Sequence, residues 1–128
     1  IGGYYQDDLY SIQQTNDGGF ILGGISNSDI SGDKSENCIG GNGLYDYWVV
    51  KVNSLGNIQW QNTIGGSLDD MLTSIQQTAD GGYIVGGYSA SNISGDKTEN
   101  RIGYFDYWIL KINSAGTPNL PRPTQFKR

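Results

Sequence analysis

The chain has 128 residues, a formal net charge of −5 and no histidine, and its length fits one domain around a single core. The acidic balance argues against a nucleic-acid partner, which requires a basic stripe, and no stretch approaches the roughly 18 apolar residues of a membrane span. With 20 glycines, nine tyrosines and no long helical periodicity, the composition favours an all-β fold with many tight turns.

The first half of the chain predicts four short strands. They are residues 9–15, Phe20–Ser26, Asp46–Val52 and 58–63. The first alternates apolar and polar residues and ends in the hairpin turn NDGG at 16–19. Gly23 and Gly24 in the second indicate that another backbone approaches closely. The third is rich in the aromatic and β-branched residues that strands prefer, and the turn NSLGN at 53–57 leads into the fourth.

The second half of the chain repeats the first. From Ile1 and Ile64 onward, IGGYYQDDLYSIQQTNDGGFILGG aligns with IGGSLDDMLTSIQQTADGGYIVGG without a gap, and most aligned positions are identical. Residues 41–43 are extra in the first copy, after which DYWVVKVNSLG pairs with DYWILKINSAG. We therefore divide the chain into a first repeat, residues 1–63, and a second repeat, residues 64–128, whose C-terminal edge strand is proline-rich.

Four antiparallel strands per repeat form one blade of a β-propeller. The predicted fold class is therefore all-β, with two four-stranded antiparallel blades. A closed propeller needs roughly four to eight blades, and two blades alone leave apolar faces and strand edges open. Oligomerisation of this chain, or further repeats in a longer array, would cover them. We expect a homotrimer, with a homotetramer as the next alternative.

Asn53, Gly56 and Trp60 resemble the tryptophan-docking pattern of quinoprotein-type propellers, in which the Trp wedges between blades. The second repeat keeps the Asn and the Gly, but Leu120 stands at the Trp position. The chain as a whole resembles tandem repeats in secreted and surface proteins of Bacteroidetes-type bacteria, through the strings SI..T.DGGYIV.GYS.S, SGDKTE and DYW..K....G. This resemblance implies a β-propeller that is secreted or on the cell surface, and it implies little about activity.

The loops that join strands two and three of a blade, and those that join successive blades, emerge on one face. This places the segments SGDKSEN at 31–37 and SGDKTEN at 94–100 beside GGYYQDD and GGSLDDM. Aromatic faces flanked by carboxylates and amides suit a sugar, whose C–H faces stack and whose hydroxyls need donors and acceptors. The candidate carbohydrate-binding residues are Asp7, Asp33, Lys34, Glu36, Asn37, Asp46, Tyr47 and Trp48, followed by Asp70, Asp96, Lys97, Glu99, Asn100, Asp106, Tyr107 and Trp108.

Several of these candidate residues also have a purely structural interpretation. Trp48 and Trp108 fit a packing role between blades, because strand alternation buries every second residue. The duplication alone could also account for the repeated SGDK segment. Asp29, Ser31 and Asp33 resemble part of an oxygen-ligand loop for calcium, but turn chemistry explains Asp and Ser equally well. No other cofactor is indicated.

Two further positions carry chemistry of their own. Cys38 is the single cysteine, so it is either a free thiol or the site of a disulfide between two chains. Asn92 begins an Asn-Ile-Ser sequon, which would be glycosylated only in a eukaryote that secretes the protein.

Catalysis is not indicated. Without histidine, and with one cysteine that has no base partner, Ser-His and Cys-His nucleophile systems are excluded. Paired carboxylates could serve a glycoside hydrolase. Asp7 and Asp8, however, are adjacent and therefore point to opposite faces of the strand, and Asp8 aligns with Met71 in the second repeat. The leading hypothesis is a multivalent, lectin-like carbohydrate-binding protein with about one site per blade. The alternative is a structural or adhesive propeller segment that binds a protein partner.

Overall fold

The computed structural model describes residues 1–41 and 43–119, and it consists of two antiparallel β-sheets. The first sheet has the strand order β1-β2-β3-β4, with β1 Asp7–Gln14, β2 Phe20–Ser26, β3 Asp46–Val52 and β4 Ile58–Ile64. The second has the order β5-β6-β7, with β5 Asp70–Gln77, β6 Tyr83–Ser89 and β7 Asp106–Ile112. The described residues contain no helix, and hence none that could cross a bilayer. The predicted all-β class is confirmed.

The strand predictions hold best for β2 and β3. The observed bounds of β2 and β3 are those predicted, and β4 extends one residue further, to Ile64. The first strand begins at Asp7 rather than at the predicted residue 9, because a bulge between Leu9 and Ser11 interrupts the alternation there. The same bulge recurs in the second repeat. The start of the fourth strand expected in the second repeat pairs with β7, since Pro118 bridges to Ile112 and the Asn119 N–H donates to the Lys111 carbonyl at 2.9 Å. The rest of that segment, with Leu120, lies outside the described residues.

One face of the first sheet packs against the second sheet. The interface contains Ile21, Ile25, Tyr47 and Val49 from the first sheet, and Leu72, Ile75, Tyr83, Val85, Trp108 and Leu110 from the second. Gly23 permits this close approach, because a Cβ there would lie 2.9 Å from side-chain atoms of both Leu72 and Ile75. Gly23 therefore marks the approach of another sheet's side chains, whereas Gly24 marks the close backbone that the sequence predicts, because a Cβ there would overlap the carbonyl oxygen of Asp8.

Tyr47 joins the two sheets by both apolar and polar contacts. It is fully buried, its ring centroid lies 5.1 Å from that of Trp108, and its hydroxyl donates a hydrogen bond to the Trp108 carbonyl at 2.9 Å. A buried tyrosine needs a partner for its hydroxyl, and the edge of the second sheet supplies one. Trp108 was a candidate ligand residue, and here it is part of the packed core.

Trp60 lies between the sheets, as the tryptophan-docking resemblance predicts. Its indole contacts the ring of Tyr83 edge-on at 5.9 Å and covers the backbone of Gly116, which has a φ of +86°. Asn62, two residues further along β4, donates from Nδ2 to the Gly116 carbonyl at 2.7 Å. Trp60 is half-buried at the margin of the core, and it fixes β4 of the first repeat to a turn of the second.

Two alanine substitutions separate backbone strain from the docking of Trp60. Gly116 and Gly56 have φ values of +86° and +85°, but only a Cβ on Gly116 would overlap the indole, while at Gly56 it would meet no described atom within 4 Å. We expect both variants to lose about 1 kcal/mol to the left-handed backbone. Gly116→Ala should lose about 1–3 kcal/mol more through overpacking, as urea unfolding would measure. Equal losses would contradict the docking.

Candidate functional site

The two SGDK segments form tight turns with the same geometry. In the first, Ser31 and Lys34 exchange backbone hydrogen bonds of 3.2 and 2.9 Å, and Gly32 between them has a φ of +53°. Ser94 and Lys97 form the same pair in the second repeat. The glycine is required twice over, since its φ is positive and a Cβ would overlap the carbonyl oxygen of Gly2, which precedes β1.

Asp33 and Asp96 attach these turns to the chain segments that precede β1 and β5. Asp33 donates its N–H to the Gly2 carbonyl at 2.8 Å, and its Oδ2 accepts from the Gly2 N–H at 3.0 Å. Asp96 makes the same two bonds, of equal length, with Gly65. Burial raises the pKa of the Asp96 carboxyl. These two aspartates act as clamps on the backbone.

Lys34 is buried, with only 2% of its surface exposed. Its Nζ donates to the Glu36 carbonyl at 2.7 Å and to Thr63 Oγ1 at 2.9 Å, and it lies 5.7 Å from the ring centroid of Trp48. Burial lowers the pKa of this ammonium group. Glu36 Oε1 accepts from the Thr63 N–H at 2.6 Å, so both charged residues hold the loop against β4. Lys97 is likewise buried, and it donates to the Glu99 carbonyl at 2.8 Å.

The asparagines that end the two segments are exposed and also bind backbone. Asn37 Oδ1 accepts from the Ile30 N–H, and Asn100 Oδ1 accepts from the Ile93 N–H, both at 2.9 Å. Each amide thereby closes its loop across the turn. The repeated heptapeptide is explained by the positive φ of its glycine and by the hydrogen bonds of its aspartate, lysine and asparagine, so its recurrence does not by itself indicate a ligand.

Asp7 organises the start of β1 in the same manner. Its carboxylate accepts from the Gly3 N–H at 2.8 Å and from the hydroxyls of Ser26 and Ser28 at 2.5 and 3.0 Å. Asp70 receives the same three kinds of bond in the second repeat. The sequence placed Asp7 near the SGDK segment, and the structure brings the two together through Gly2 and Gly3.

Most of the candidate aromatic residues are buried. Tyr47 is fully buried, while Trp48 and Trp108 are 6% and 8% exposed. Trp48 packs with Val50 on the face of the first sheet that points away from the second. The packing interpretation of the tryptophans therefore fits the structure, and among these aromatic candidates only Tyr107 is exposed, at 88%.

Two buried carboxyl groups meet where the sheets join. Asp46 begins β3 and Asp70 begins β5, and both are almost completely buried. A Cβ on Gly65 would overlap Asp46 Oδ1 and lie 2.7 Å from Asp70 Oδ2, so the two groups face each other across that glycine. Asp46 Oδ2 accepts from the Ile39 N–H at 2.7 Å, whereas Oδ1 has no hydrogen-bond partner among the described residues.

Protonation of one of these two carboxyl groups removes the repulsion between two buried negative charges. Burial, reinforced by the neighbouring carboxyl of Asp70, raises the pKa of Asp46 to about 8, and burial also raises the pKa of Asp70. A proton on Asp46 would let its orphan oxygen donate toward Asp70, so the pair shares one proton near neutral pH. Asp106, the equivalent of Asp46, is half-exposed and accepts from the N–H groups of Ile102 and Gly103.

The calcium candidates bind backbone groups instead of facing a common centre. Asp29 Oδ1 accepts from the Cys38 N–H at 3.1 Å, Ser31 Oγ accepts from the Tyr4 N–H at 2.9 Å, and Asp33 is held by Gly2. Within residues 1–41 and 43–119, no group of three or more acidic or cysteine side chains is placed to hold a metal ion.

Cys38 is half-buried, and its Sγ lies 3.1 Å from the Ser28 carbonyl, to which it donates. Burial raises the pKa of the thiol to about 11, which disfavours the reactive thiolate. A disulfide between two chains stays a prediction. Asn92, the sequon residue, is exposed, and its Oδ1 accepts from the Arg101 N–H at 3.2 Å.

A cavity that sequence reasoning missed lies beside the first SGDK turn. It has a volume of about 320 Å³ and is lined by Tyr5, Asn27, Asp29, Cys38, Gly41 and Gly43. The available signal was the insertion at 41–43, because Gly41 and Gly43 line the cavity and the second repeat has no equivalent of them. In the second repeat Arg101 replaces the cysteine, and its guanidinium donates to the Ala90 carbonyl and stacks on Tyr104 at 5.1 Å. The two repeats thus differ most at this position.

In comparisons with known proteins, no family model and no curated protein matches the chain. The resemblance to bacterial surface repeats therefore stays a prediction. The candidate functional site is the cavity beside the first SGDK turn. The hydrogen bonds of the SGDK segment hold the loop next to it.

The clamp role of Asp96 predicts a loss of stability. Asp96→Ala removes the acceptor of the buried Gly65 N–H, which should cost about 1–3 kcal/mol. Thr98→Ala, an exposed change in the same segment, should stay within about 0.5 kcal/mol of the parent. Thermal unfolding of both variants measures the difference. Equal unfolding temperatures of the two variants would show that the Asp96 carboxylate does not stabilise the segment before β5.

The carboxyl pair predicts how stability depends on pH. The folded chain keeps the Asp46 proton up to a pKa of about 8, whereas the unfolded chain releases it near 3.8. The free energy of unfolding should therefore decrease as the pH rises from about 4 to 8. Asp46→Asn should flatten this slope and be the more stable protein at pH 8, as urea unfolding across the range would show. With no histidine in the chain, an unchanged slope in the variant would exclude the pair as its origin.

Proposed function

We propose that the chain is a carbohydrate-binding protein whose binding site is the cavity lined by Tyr5, Asn27 and Asp29. The observation that carries the proposal is the Tyr5 ring, which is 73% exposed at this cavity beside an amide and a carboxylate. An exposed aromatic face stacks on the C–H face of a sugar, and the polar groups bind its hydroxyls. The sequence analysis also predicted an aromatic face flanked by carboxylate and amide groups, but it placed the sugar site at other residues.

The backbone holds this site in place. Tyr5 donates its N–H to Ser28 Oγ at 3.0 Å, and Asn27 Oδ1 accepts from the Gln6 N–H at 2.8 Å. Asp29 is oriented by the Cys38 N–H. Because the side chains of Asn27 and Asp29 are held before a ligand arrives, ordering them on binding would cost little conformational entropy. The second repeat has Leu68 where the first has Tyr5 and Arg101 where the first has Cys38, so the proposal is one site per chain.

The two sheets are proposed to be blades of a β-propeller. Their matching strand registers, the wedged Trp60 and the packing of successive sheets face to face support this architecture. In a propeller the loops beside each SGDK turn emerge on one side, so several copies of the site would point the same way and gain avidity. A secreted or cell-surface location belongs to the same proposal, and it rests on the resemblance to bacterial surface repeats.

A glycan array tests the binding site. We expect the purified chain to bind a subset of glycans, and Tyr5→Ala to weaken that binding about tenfold or more through lost stacking. Tyr4→Ala is the matched control, because this neighbouring tyrosine is 83% exposed but does not line the cavity. Asp29→Ala should weaken binding, whereas the equivalent Asn92→Ala should not. Equal unfolding temperatures would establish that all four variants are folded.

Two outcomes would overturn the proposal. Binding to no glycan, with or without calcium, would remove carbohydrate recognition and favour the structural or adhesive segment that binds a protein. Equal affinities of Tyr4→Ala and Tyr5→Ala would place the site elsewhere.

A further inference from the structure

Each sheet has a second face that the described chain does not cover with another sheet. On the first sheet this face, here called the receiving face, consists of Leu9, Ile12, Leu22, Trp48 and Val50. On the second sheet the corresponding projecting face consists of Ile84, Tyr88, Tyr107 and Ile109. Large apolar faces of this kind usually bind another protein surface.

The repeat shows what fits the projecting face. Tyr107 is 88% exposed, and its equivalent, Tyr47, is fully buried against the second sheet. Ile109 is 45% exposed, and its equivalent, Val49, is fully buried. The projecting face therefore carries the side chains with which the first sheet already makes the interface inside the chain.

The receiving face carries the other half of that interface. Leu9 and Ile12 are 55% and 57% exposed, whereas their equivalents, Leu72 and Ile75, are buried against the first sheet. Trp48 and Val50 are buried at the floor of this face, at 6% and 4% exposure. With Leu22 they correspond to three further residues of the second sheet that face the first, namely Val85, Trp108 and Leu110. Each open face is thus equivalent to one side of the packed interface.

The receiving face contains a cavity of about 280 Å³, at the position where the second sheet accommodates the ring of Tyr47. It is lined by Leu9, Leu22, Gly24, Trp48 and Val50, together with Ile1, Asp7 and Asp8. In the second repeat the equivalent space is occupied by Tyr47, which contacts Trp108 and whose hydroxyl lies 2.8 Å from where a Cβ on Gly87 would be. Gly87 is the equivalent of Gly24. The cavity therefore has the lining that receives a tyrosine.

Gly86 provides the complementary recess on the projecting face. A Cβ on its equivalent, Gly23, would collide with Leu72 and Ile75, whereas a Cβ on Gly86 would meet no described atom within 4 Å. A pair of side chains such as Leu9 and Ile12 would fill the recess.

From this correspondence we infer that a second copy of the chain binds head to tail. Tyr107 of one copy enters the cavity beside Trp48 of the next, and its hydroxyl donates to the Trp48 carbonyl as that of Tyr47 does to Trp108. Leu9 and Ile12 of the next copy fill the recess at Gly86. Asp106 and Asp7 then meet across the new interface, as Asp46 and Asp70 meet within the chain.

The contact is heterologous, because it joins two different faces, and a heterologous contact forms either a closed ring or an open filament. Propellers close with roughly four to eight blades. With two sheets per copy this range corresponds to two to four chains, and we expect three, with four as the next alternative. Closure would cover every receiving and projecting face and leave no chain with an exposed apolar sheet.

Sedimentation of paired variants tests the head-to-tail contact. The parent chain should sediment at micromolar concentration as one species, at three times its 13.9 kDa mass or at four times. Ile109→Asp blocks the projecting face and Ile12→Asp blocks the receiving face, so each should be a monomer when alone. An equimolar mixture should form a heterodimer, because one intact face of each kind remains. Both residues are already half-exposed, so circular dichroism should show the folded state.

A monomeric parent chain would overturn the inference, and so would a symmetric dimer that persists in either variant. Tyr107→Ala is the second probe, since it removes only an exposed ring and should also prevent assembly. The measurement is independent of carbohydrate binding, because Tyr5→Ala should leave the mass unchanged. A ring that binds no glycan, or a monomer that does, would separate the two proposals.

Discussion

The structure depends on the packing of one sheet face against the next through side chains that fit between strands. Tyr47 is the centre of this contact, since it fills the space beside Trp108 and bonds to its carbonyl, and Gly23 leaves room for Leu72 and Ile75. A small antiparallel sheet needs at least one apolar face packed against another element, so the contact sets the relative position of the two sheets. The Trp60 contact and the carboxyl pair lie around it.

Around this apolar contact, a polar frame fixes the loops. The backbone N–H groups before β1 and β5 would be left unsatisfied near the sheet ends, and Asp33, Asp96, Asp7 and Asp70 accept from them. Lys34 is buried only because the Glu36 carbonyl and the Thr63 hydroxyl satisfy its ammonium group. Such networks stabilise one conformation when complete and are costly when one member is lost. These hydrogen bonds hold the loop beside the candidate sugar site.

The sequence predicted those features that depend on local pattern. Phe20–Ser26 and Asp46–Val52 are runs of mainly apolar residues between clear turns, and Trp60 has a recognisable spacing from Gly56. The burial of Lys34 could not be predicted, because its partner on β4 comes from distant sequence. The carboxyl pair was missed for the same reason, since two strands of different repeats bring Asp46 to Asp70. A bulge in β1 displaced the predicted start of that strand.

The duplicated sequence also explains two residues that make no packing contact among the described residues of one chain. Gly86 lies inside β6, where a glycine weakens a strand by about 0.5–1 kcal/mol, and the described residues offer no steric reason for it. Its equivalent, Gly23, has such a reason in the packed interface. Tyr107, with its ring in water, is in the same position relative to Tyr47. Both residues are suited to an interface with a further sheet. The same contact that joins the two repeats would then join successive chains, with each sheet between two neighbours.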